Sequence, residues 1–105
     1  MLYKQITEVS RSAGLLGLYL GSITHVWGPW GHCTKQEAAR QIVARESHFY
    51  VDVAGYQINV IAVIHDPNDP STWYIKTVAD DTIVDNLLHL PVRQLGIIQR
   101  GLLNL

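Results

Sequence analysis

Apolar and polar residues alternate along several short stretches of the chain, which is the period expected of half-buried β-strands. Glycines between the first two stretches favour a hairpin, and Ala54-Gly55 is typical of a two-residue turn between the third and fourth. The pattern therefore predicts five strands, at Leu2–Ser10, Leu18–Trp27, His48–Val53, Tyr56–His65 and Trp73–Val78.

The third and fourth strands carry the clearest faces. Phe49, Val51 and Val53 share one side of the third strand. On the fourth strand, every second residue from Tyr56 to Ile64 is apolar or aromatic, and these residues share one face. The fourth strand also carries Ile61 and Val63 on its other face. Apolar residues on both faces indicate a central strand that is covered on both sides in its second half.

A helix begins after Thr34. Thr34-Lys35-Gln36-Glu37 is a capping box, in which the threonine hydroxyl accepts from the amide three residues on and the glutamate reaches back. Behind it, apolar side chains at helical spacing predict a helix over Lys35–Arg45. The face expected to be buried consists of Ala38, Ala39, Ile42 and Val43.

The C-terminal third is less regular. Asp80–Pro91 reads as a mixed turn and short helix, and Val92–Leu105 as a closing helix with Leu95, Ile98, Leu102 and Leu105 in one stripe. The stripe can pack on the protein's own sheet or on a second copy, and we lean towards a homo-oligomer joined by this 91–105 tail. The expected fold is one α+β domain over residues 1–105. It comprises an antiparallel sheet of about five strands, one helix after strand 2 and a C-terminal helix.

Composition narrows the class of protein. The chain has 105 residues, 48% apolar and 16% charged, which favours a folded domain over intrinsic disorder. A net charge of −1 argues against broad binding of extended nucleic acid, although two or three cations suffice for one compact anion. The lone Cys33 indicates a reducing compartment, and Leu15–Leu20 is too short to span a bilayer. We expect a cytoplasmic protein without a membrane partner.

No catalytic constellation stands out. Cys33 follows His32, but sequence neighbours rarely form a nucleophile and base pair, and no family signature surrounds them. Asp80, Asp81 and Asp85 lack the glycine and terminal glutamate of a calcium loop. No glycine spacing matches a phosphate loop. We therefore expect no enzymatic activity, no catalytic residue, no metal and no cofactor.

Six segments follow one another in a familiar order. They are Ile6-Thr7-x-Val9, His25-Val26-Trp27, Thr34-x-x-Glu37-Ala38, Phe49-Tyr50-Val51, Tyr74-Ile75-Lys76-Thr77 and Thr82-x-x-Asp85-Asn86-Leu87-x-x-Leu90-Pro91. In this order the chain resembles a family of small bacterial and phage domains of unknown function, over Lys4 to Pro91. The resemblance implies a fold and a bacterial or phage origin, and it carries no activity.

The remaining chemistry is that of recognition. Tryptophan and tyrosine rings, an amide and several cations are the groups that a nucleotide-sized anion needs, for stacking, base-edge hydrogen bonds and phosphate contact. The same aromatic residues can instead close the ends of the core, and Asn86 can cap a turn. The candidate ligand-binding residues are Trp27, Trp30, Tyr74, Lys76, Asp85, Asn86, Arg93 and Arg100.

Two functions remain open on this basis. The first is a small non-enzymatic binding protein that sequesters a nucleotide-like anionic ligand in a phage or bacterial defence context, as some small phage proteins do. The second is a protein-interaction module, such as a phage inhibitor that docks on a host defence protein. A cluster of rings and cations would favour the first function, and an exposed apolar patch the second.

Overall fold

In the computed structural model, residues 1–12, 22–77 and 86–93 are described. They form one α-helix and seven short strands in two sheets, together with 3₁₀ turns at Pro70–Thr72 and Asn86–His89. The elements are β1 (Leu2–Gln5), β2 (Glu8–Arg11), β3 (Ile23–Gly28), β4 (Gly31–Thr34), α1 (Lys35–Val43), β5 (Ser47–Val53), β6 (Tyr56–Val63) and β7 (Tyr74–Thr77).

The mixed α+β class is confirmed, but the single five-stranded sheet is wrong. One sheet has four strands in the order β1-β5-β6-β7, with β1 parallel to β5 and the other pairs antiparallel. The other sheet has three antiparallel strands in the order β2-β3-β4. The predicted first strand divides at Ile6 and Thr7, where the chain leaves one sheet for the other: the Ile6 amide bonds to Tyr50 and the Thr7 amide to Trp27.

The helix follows the fourth strand rather than the second. β4 occupies Gly31–Thr34, where the sequence shows only a loop composition followed directly by the capping box. Thr34 is both the last residue of β4 and the cap of α1, and its hydroxyl accepts from the Glu37 amide at 3.0 Å. One residue thus ends the strand and begins the helix.

The C-terminal end of α1 differs from the prediction by two residues. The helix ends at Val43, because Arg45 adopts φ 61° and the amides of Arg45 and Glu46 bond back to Ile42 and Gln41. These two hydrogen bonds form a Schellman cap, with arginine in the left-handed position that glycine usually fills. Val43 is exposed, not buried as predicted, since the helix turns it away from the sheets.

Helix α1 lies against β5, β6 and β7 of the larger sheet and against β3 and β4 of the smaller one. Its buried contacts are Ala38 and Ala39, whose small side chains let the backbone approach closely, with Ile42 packed at the edge of the core. The core around them includes Ile6, Val9, Ile23, Val26, Phe49, Val51, Val60, Ile75, Leu87 and Leu88.

Strand β6 is central, as predicted, but it is not covered on both faces by the described residues. Val60 is buried on the core side, whereas Ile61 on the other side is 41% exposed. Val53, expected to be buried with Phe49 and Val51, is also exposed beyond the end of the core. The larger sheet therefore presents an outer face, which bears on the functional site.

The predicted closing helix is wrong in its first two residues. Val92 forms a parallel bridge with Val9, and the amide of Arg93 bonds to the Val9 carbonyl at 2.8 Å. Residues 92 and 93 thus extend the smaller sheet beside β2. The rest of the predicted helix, with its leucine stripe, lies outside the described residues.

Candidate functional site

Trp27 and Arg93, two of the predicted ligand-binding residues, are brought together on the outer face of the smaller sheet. The Trp27 ring stacks on His32 with centroids 4.1 Å apart, and the Arg93 guanidinium lies over the same ring at 4.5 Å. His32 comes from β4 and Arg93 from the segment beyond β2, on opposite sides of β3, so the two groups occupy both faces of the indole. No ring face of Trp27 remains open for a ligand.

Hydrogen bonds fasten the same contact. The indole N–H of Trp27 donates to Ser10 Oγ at 2.7 Å, and this buried hydroxyl donates to the Arg93 carbonyl at 2.8 Å. Arg93 also bonds to the Glu8 carboxylate at 3.1 Å. Trp27 and Arg93 therefore hold residues 91–93 to the sheet, which is a structural role.

Trp30 also serves the fold. Its indole N–H donates to the Gln5 carbonyl at 2.7 Å, its ring meets Phe49 edge-on at 5.6 Å, and the Lys4 ammonium lies over it at 5.2 Å. It packs against the core, so the alternative interpretation of Trp30, as a residue that closes one end of the core, fits its surroundings.

Tyr74 and Lys76 lie elsewhere, on the outer face of the larger sheet. Tyr74 precedes the buried Ile75 on β7 and Lys76 follows it, so the alternation of side chains along the strand turns both residues away from the core. Other aromatic residues share this face. We call this set the tyrosine face: Tyr3 on β1, His48 and Tyr50 on β5, His65 just after β6, and Tyr74 and Lys76 on β7.

Two ring clusters make up the tyrosine face. In the first, Tyr3 pairs with His48 across the parallel strands with ring centroids 5.0 Å apart, and His48 lies 6.5 Å from Tyr50. In the second, His65 lies 5.6 Å from Tyr74. Ile61 and Val63 of β6 pair with Lys76 and Tyr74, and they form an apolar strip beside the second cluster.

The tyrosine face is polar between its two inner strands and most exposed at the β1 edge. His48 Nε2 lies 2.9 Å from Asn59 Oδ1, a contact that holds the imidazole between the two tyrosines. Tyr3 is 69% exposed, while His48, Tyr50, Tyr74 and Lys76 are half-buried in the face. Ordered, partly exposed rings beside a cation are suited to stacking a planar anionic molecule.

Charge on this face is sparse. Within the described segments Lys76 is its sole lysine or arginine, and no carboxylate there forms a salt bridge with it. Asp52, an acid of the same face, accepts from the Gly55 amide at 2.9 Å and belongs to the β5–β6 turn. Lys76 is thus available for an anion.

The structure does not bring the whole predicted set together. Trp27 and Arg93 lie on one sheet, Trp30 at the core, and Tyr74 and Lys76 on the other sheet. The 3₁₀ turn that begins at Asn86 places Leu87 and Leu88 in the core, behind the sheet that carries Tyr74. Asp85 and Arg100 lie outside the described residues.

The sequence reading missed Tyr3, His48, Tyr50 and His65. The alternation in β5 places His48 and Tyr50 opposite the buried Phe49 and Val51, so the signal for them was present. Tyr3 required the parallel pairing of β1 with β5, which no local pattern shows.

The histidines and the cysteine of β3 and β4 do not converge on a metal or nucleophilic site, and Asp80, Asp81 and Asp85 lie outside the described residues. His25 and His32 share the outer face of the smaller sheet with ring centroids 6.4 Å apart, whereas the paired strands turn Cys33 to the core side. Burial raises the pKa of the Cys33 thiol to about 11, which keeps it protonated. Across residues 1–12, 22–77 and 86–93, no three histidine, cysteine or acidic side chains cluster to hold a metal.

Comparison with known proteins finds no matching family model, no matching curated protein and no matching solved structure. The resemblance to small bacterial and phage domains therefore stays a prediction. No helix among the described residues is long and apolar enough to cross a membrane.

Proposed function

We propose that the protein is a non-catalytic binding protein whose tyrosine face holds a nucleotide-like ligand. The observation that carries the proposal is the placement of Tyr3, His48 and Tyr50 on the same open sheet face as Lys76. Rings supply stacking for a base, and the ammonium group supplies a contact for phosphate.

The spacing of these groups suits one nucleotide. Tyr50 pairs with Asn59 and Lys76 with Ile61, so the two residues are two strands apart and offset by two positions along β6. Sheet geometry then places their Cα atoms about 12 Å apart. Both side chains are long enough to meet a base and its phosphate from the two ends of that span.

Stacking requires little flexibility from this face. The tyrosines project from paired strands, and Tyr3 and Tyr50 flank His48, so the rings are ordered before a ligand arrives. Ordered rings lose less conformational entropy on binding than side chains on a loop. Every base has a π-face, so such a face binds with modest base preference.

The experiment is a calorimetric titration of the full chain with uridine 5′-monophosphate, beside the variants Tyr50→Ala and Lys76→Gln. Stacking is worth about 1–3 kcal/mol per base, so Tyr50→Ala is expected to weaken binding about 5- to 150-fold. Tyr56→Ala is the matched control, because Tyr56 is 72% exposed on β6 but pairs with Val53 on the opposite face. Equal losses in Tyr50→Ala and Tyr56→Ala would refute the proposal.

One observation favours the second candidate, a protein-interaction module. Met1, Leu2 and Tyr3 are each more than 60% exposed and lie together at the β1 edge. An apolar edge of this kind is typical of protein contacts. If uridine 5′-monophosphate does not bind and Leu2→Glu abolishes binding to a protein partner, this candidate replaces the first.

A further inference from the structure

The two ring clusters of the tyrosine face are too far apart to serve a single base. Tyr50 pairs with Asn59 and Tyr74 with Val63, so they are two strands apart and offset by four positions along β6. This corresponds to about 16 Å between their Cα atoms. One base ring cannot contact both clusters, yet both are built alike, each from tyrosine and histidine.

Lys76 lies between the clusters along the path that connects them. It is two residues from Tyr74 on the same strand and face, about 7 Å away, and about 12 Å from Tyr50 on the diagonal. An anion bound by Lys76 therefore has a ring cluster on each side. Ile61, paired with Lys76, supplies an apolar surface next to it.

The charge of the tyrosine face also limits the charge of the ligand that it can bind. A single ammonium, with no second lysine or arginine on this face within the described segments, matches a group that carries one negative charge. A phosphodiester that joins two nucleosides carries one, whereas a longer strand adds a charge for every further link. The net charge of −1 for the whole chain also disfavours a long strand.

From these three observations we infer that the ligand of the tyrosine face is a dinucleotide with two splayed bases. One base stacks on Tyr3 and Tyr50, the bridging phosphodiester meets Lys76, and the second base stacks on Tyr74. Bases that are unstacked from one another and held on separate aromatic side chains are the usual form in which single-stranded nucleotides are recognised. This inference rests on the proposed function and specifies its ligand.

The test compares two probes, uridine 5′-monophosphate and the dinucleoside monophosphate UpU, in calorimetric titrations of the full chain. UpU is expected to bind at least tenfold more tightly, because only UpU engages both clusters. In Tyr74→Leu, which keeps an apolar side chain in the face, the advantage of UpU is expected to fall below threefold. Tyr56→Leu, at an exposed position of the opposite face, is the control and is expected to leave both affinities within about twofold of the wild-type values.

Lys76→Gln provides a second, independent readout. Salt is expected to weaken binding of UpU to the wild type by screening the contact between the ammonium and the phosphodiester, and this salt dependence is expected to be lost in the variant. The trinucleotide UpUpU is expected to bind with an affinity within about tenfold of that of UpU. If UpUpU binds more than tenfold more tightly than UpU, the face binds a longer strand and the inference is wrong.

The failures of the two proposals are distinguishable. If uridine 5′-monophosphate binds through Tyr50 but UpU binds no better, or Tyr74→Leu leaves the UpU advantage intact, the inference is overturned and the proposed function stands. If neither probe binds, the proposed function fails and the inference fails with it. Circular dichroism of Tyr74→Leu and Lys76→Gln establishes that each variant is folded before it is titrated.

Discussion

The indole N–H of Trp30 donates to the backbone carbonyl of Gln5 across 25 positions of sequence, at 2.7 Å. The amides of Leu2 and Ile6 bond towards β5, so alternation points the Gln5 carbonyl to the free edge of β1. Trp30 thus occupies part of a sheet edge that would otherwise be open to other chains. Its ring joins the two sheets, because Trp30 belongs to the β3–β4 turn and Gln5 to the larger sheet.

Removing this indole N–H while keeping an aromatic ring is expected to destabilise the protein. Trp30→Phe leaves the Gln5 carbonyl without its partner, at a cost of about 1–2 kcal/mol in the free energy of unfolding. Trp73→Phe is the control, since the Trp73 indole bonds to the Asp66 carbonyl in an exposed loop at 2.8 Å. Urea unfolding that shows equal losses for both variants would contradict the role assigned to Trp30.

Ser10 is the residue on which the Trp27 and Arg93 contact depends. Ser10 is 1% exposed. Its hydroxyl accepts a hydrogen bond from the Trp27 indole and donates one to the Arg93 carbonyl. Ser10→Ala leaves two polar groups unpaired, and we expect a loss of about 2 kcal/mol in denaturant unfolding. Ser71→Ala removes an exposed hydroxyl bonded within its own loop and is expected to cost less than about 0.5 kcal/mol. Comparable losses would argue against the contact.

The β5–β6 turn carries a residue that is strained for its position. Ala54 has φ 53° and Gly55 φ 88°, the two positive values of a type I′ turn. Asparagine tolerates the left-handed region better than alanine, so Ala54→Asn is expected to stabilise the protein by about 0.5–1 kcal/mol in thermal or urea unfolding. Ala44→Asn is the control, because Ala44 has φ −79° and no such strain. A neutral Ala54→Asn would show that the turn does not limit stability.

Acid is expected to lower the stability of α1 and of the turn that follows it. Hydrogen bonds from Arg40 and Gln41 lower the pKa of Glu37 from 4.5 to about 2, and Arg40 also lowers that of Glu46. A carboxylate whose pKa is lowered in the folded state makes its full contribution to the stability of that state above pH 4.5. That contribution is lost as the pH falls from 4.5 towards 2.

The variant Arg40→Met isolates this contribution. At low ionic strength, the difference in unfolding free energy between wild type and Arg40→Met is expected to shrink steadily between pH 5 and pH 2.5, because protonation removes the same interaction. Between pH 6 and pH 8 the difference is expected to stay constant. A difference that is independent of pH down to 2.5 would show that the ion pairs add nothing measurable.

Local signals predicted the local structure well. The Thr34 cap and the turn at Ala54-Gly55 depend on neighbouring residues, and the structure has both. The second half of the predicted capping box is wrong, because the Glu37 carboxylate bonds to Arg40 and Gln41 instead of reaching back to the Thr34 amide. The strand pairing was harder. The parallel contact of β1 with β5 joins segments more than 40 residues apart, and the break at Ile6 and Thr7 leaves the apolar pattern uninterrupted.

The predicted site residues lie in separate parts of the structure because contacts between distant segments, which the local sequence does not show, determine their surroundings. Trp27, Trp30 and Arg93 have the chemistry of ligand residues, but their partners Ser10, Gln5 and His32 are set by tertiary contacts that satisfy them within the protein. Tyr74 and Lys76 were identified by their residue types. The rings beside them come from distant strands, so only the sheet order reveals the tyrosine face.

The central claim is that the tyrosine face is the ligand site, and nuclear magnetic resonance mapping tests it most directly. In a titration of labelled full chain with uridine 5′-monophosphate, we predict the largest shifts at Tyr3, His48, Tyr50 and Lys76, which saturate together. The outer face of the smaller sheet, at Trp27 and His32, is expected to be unchanged. Shifts concentrated at Trp27 and Arg93, with the tyrosine face silent, would contradict the account.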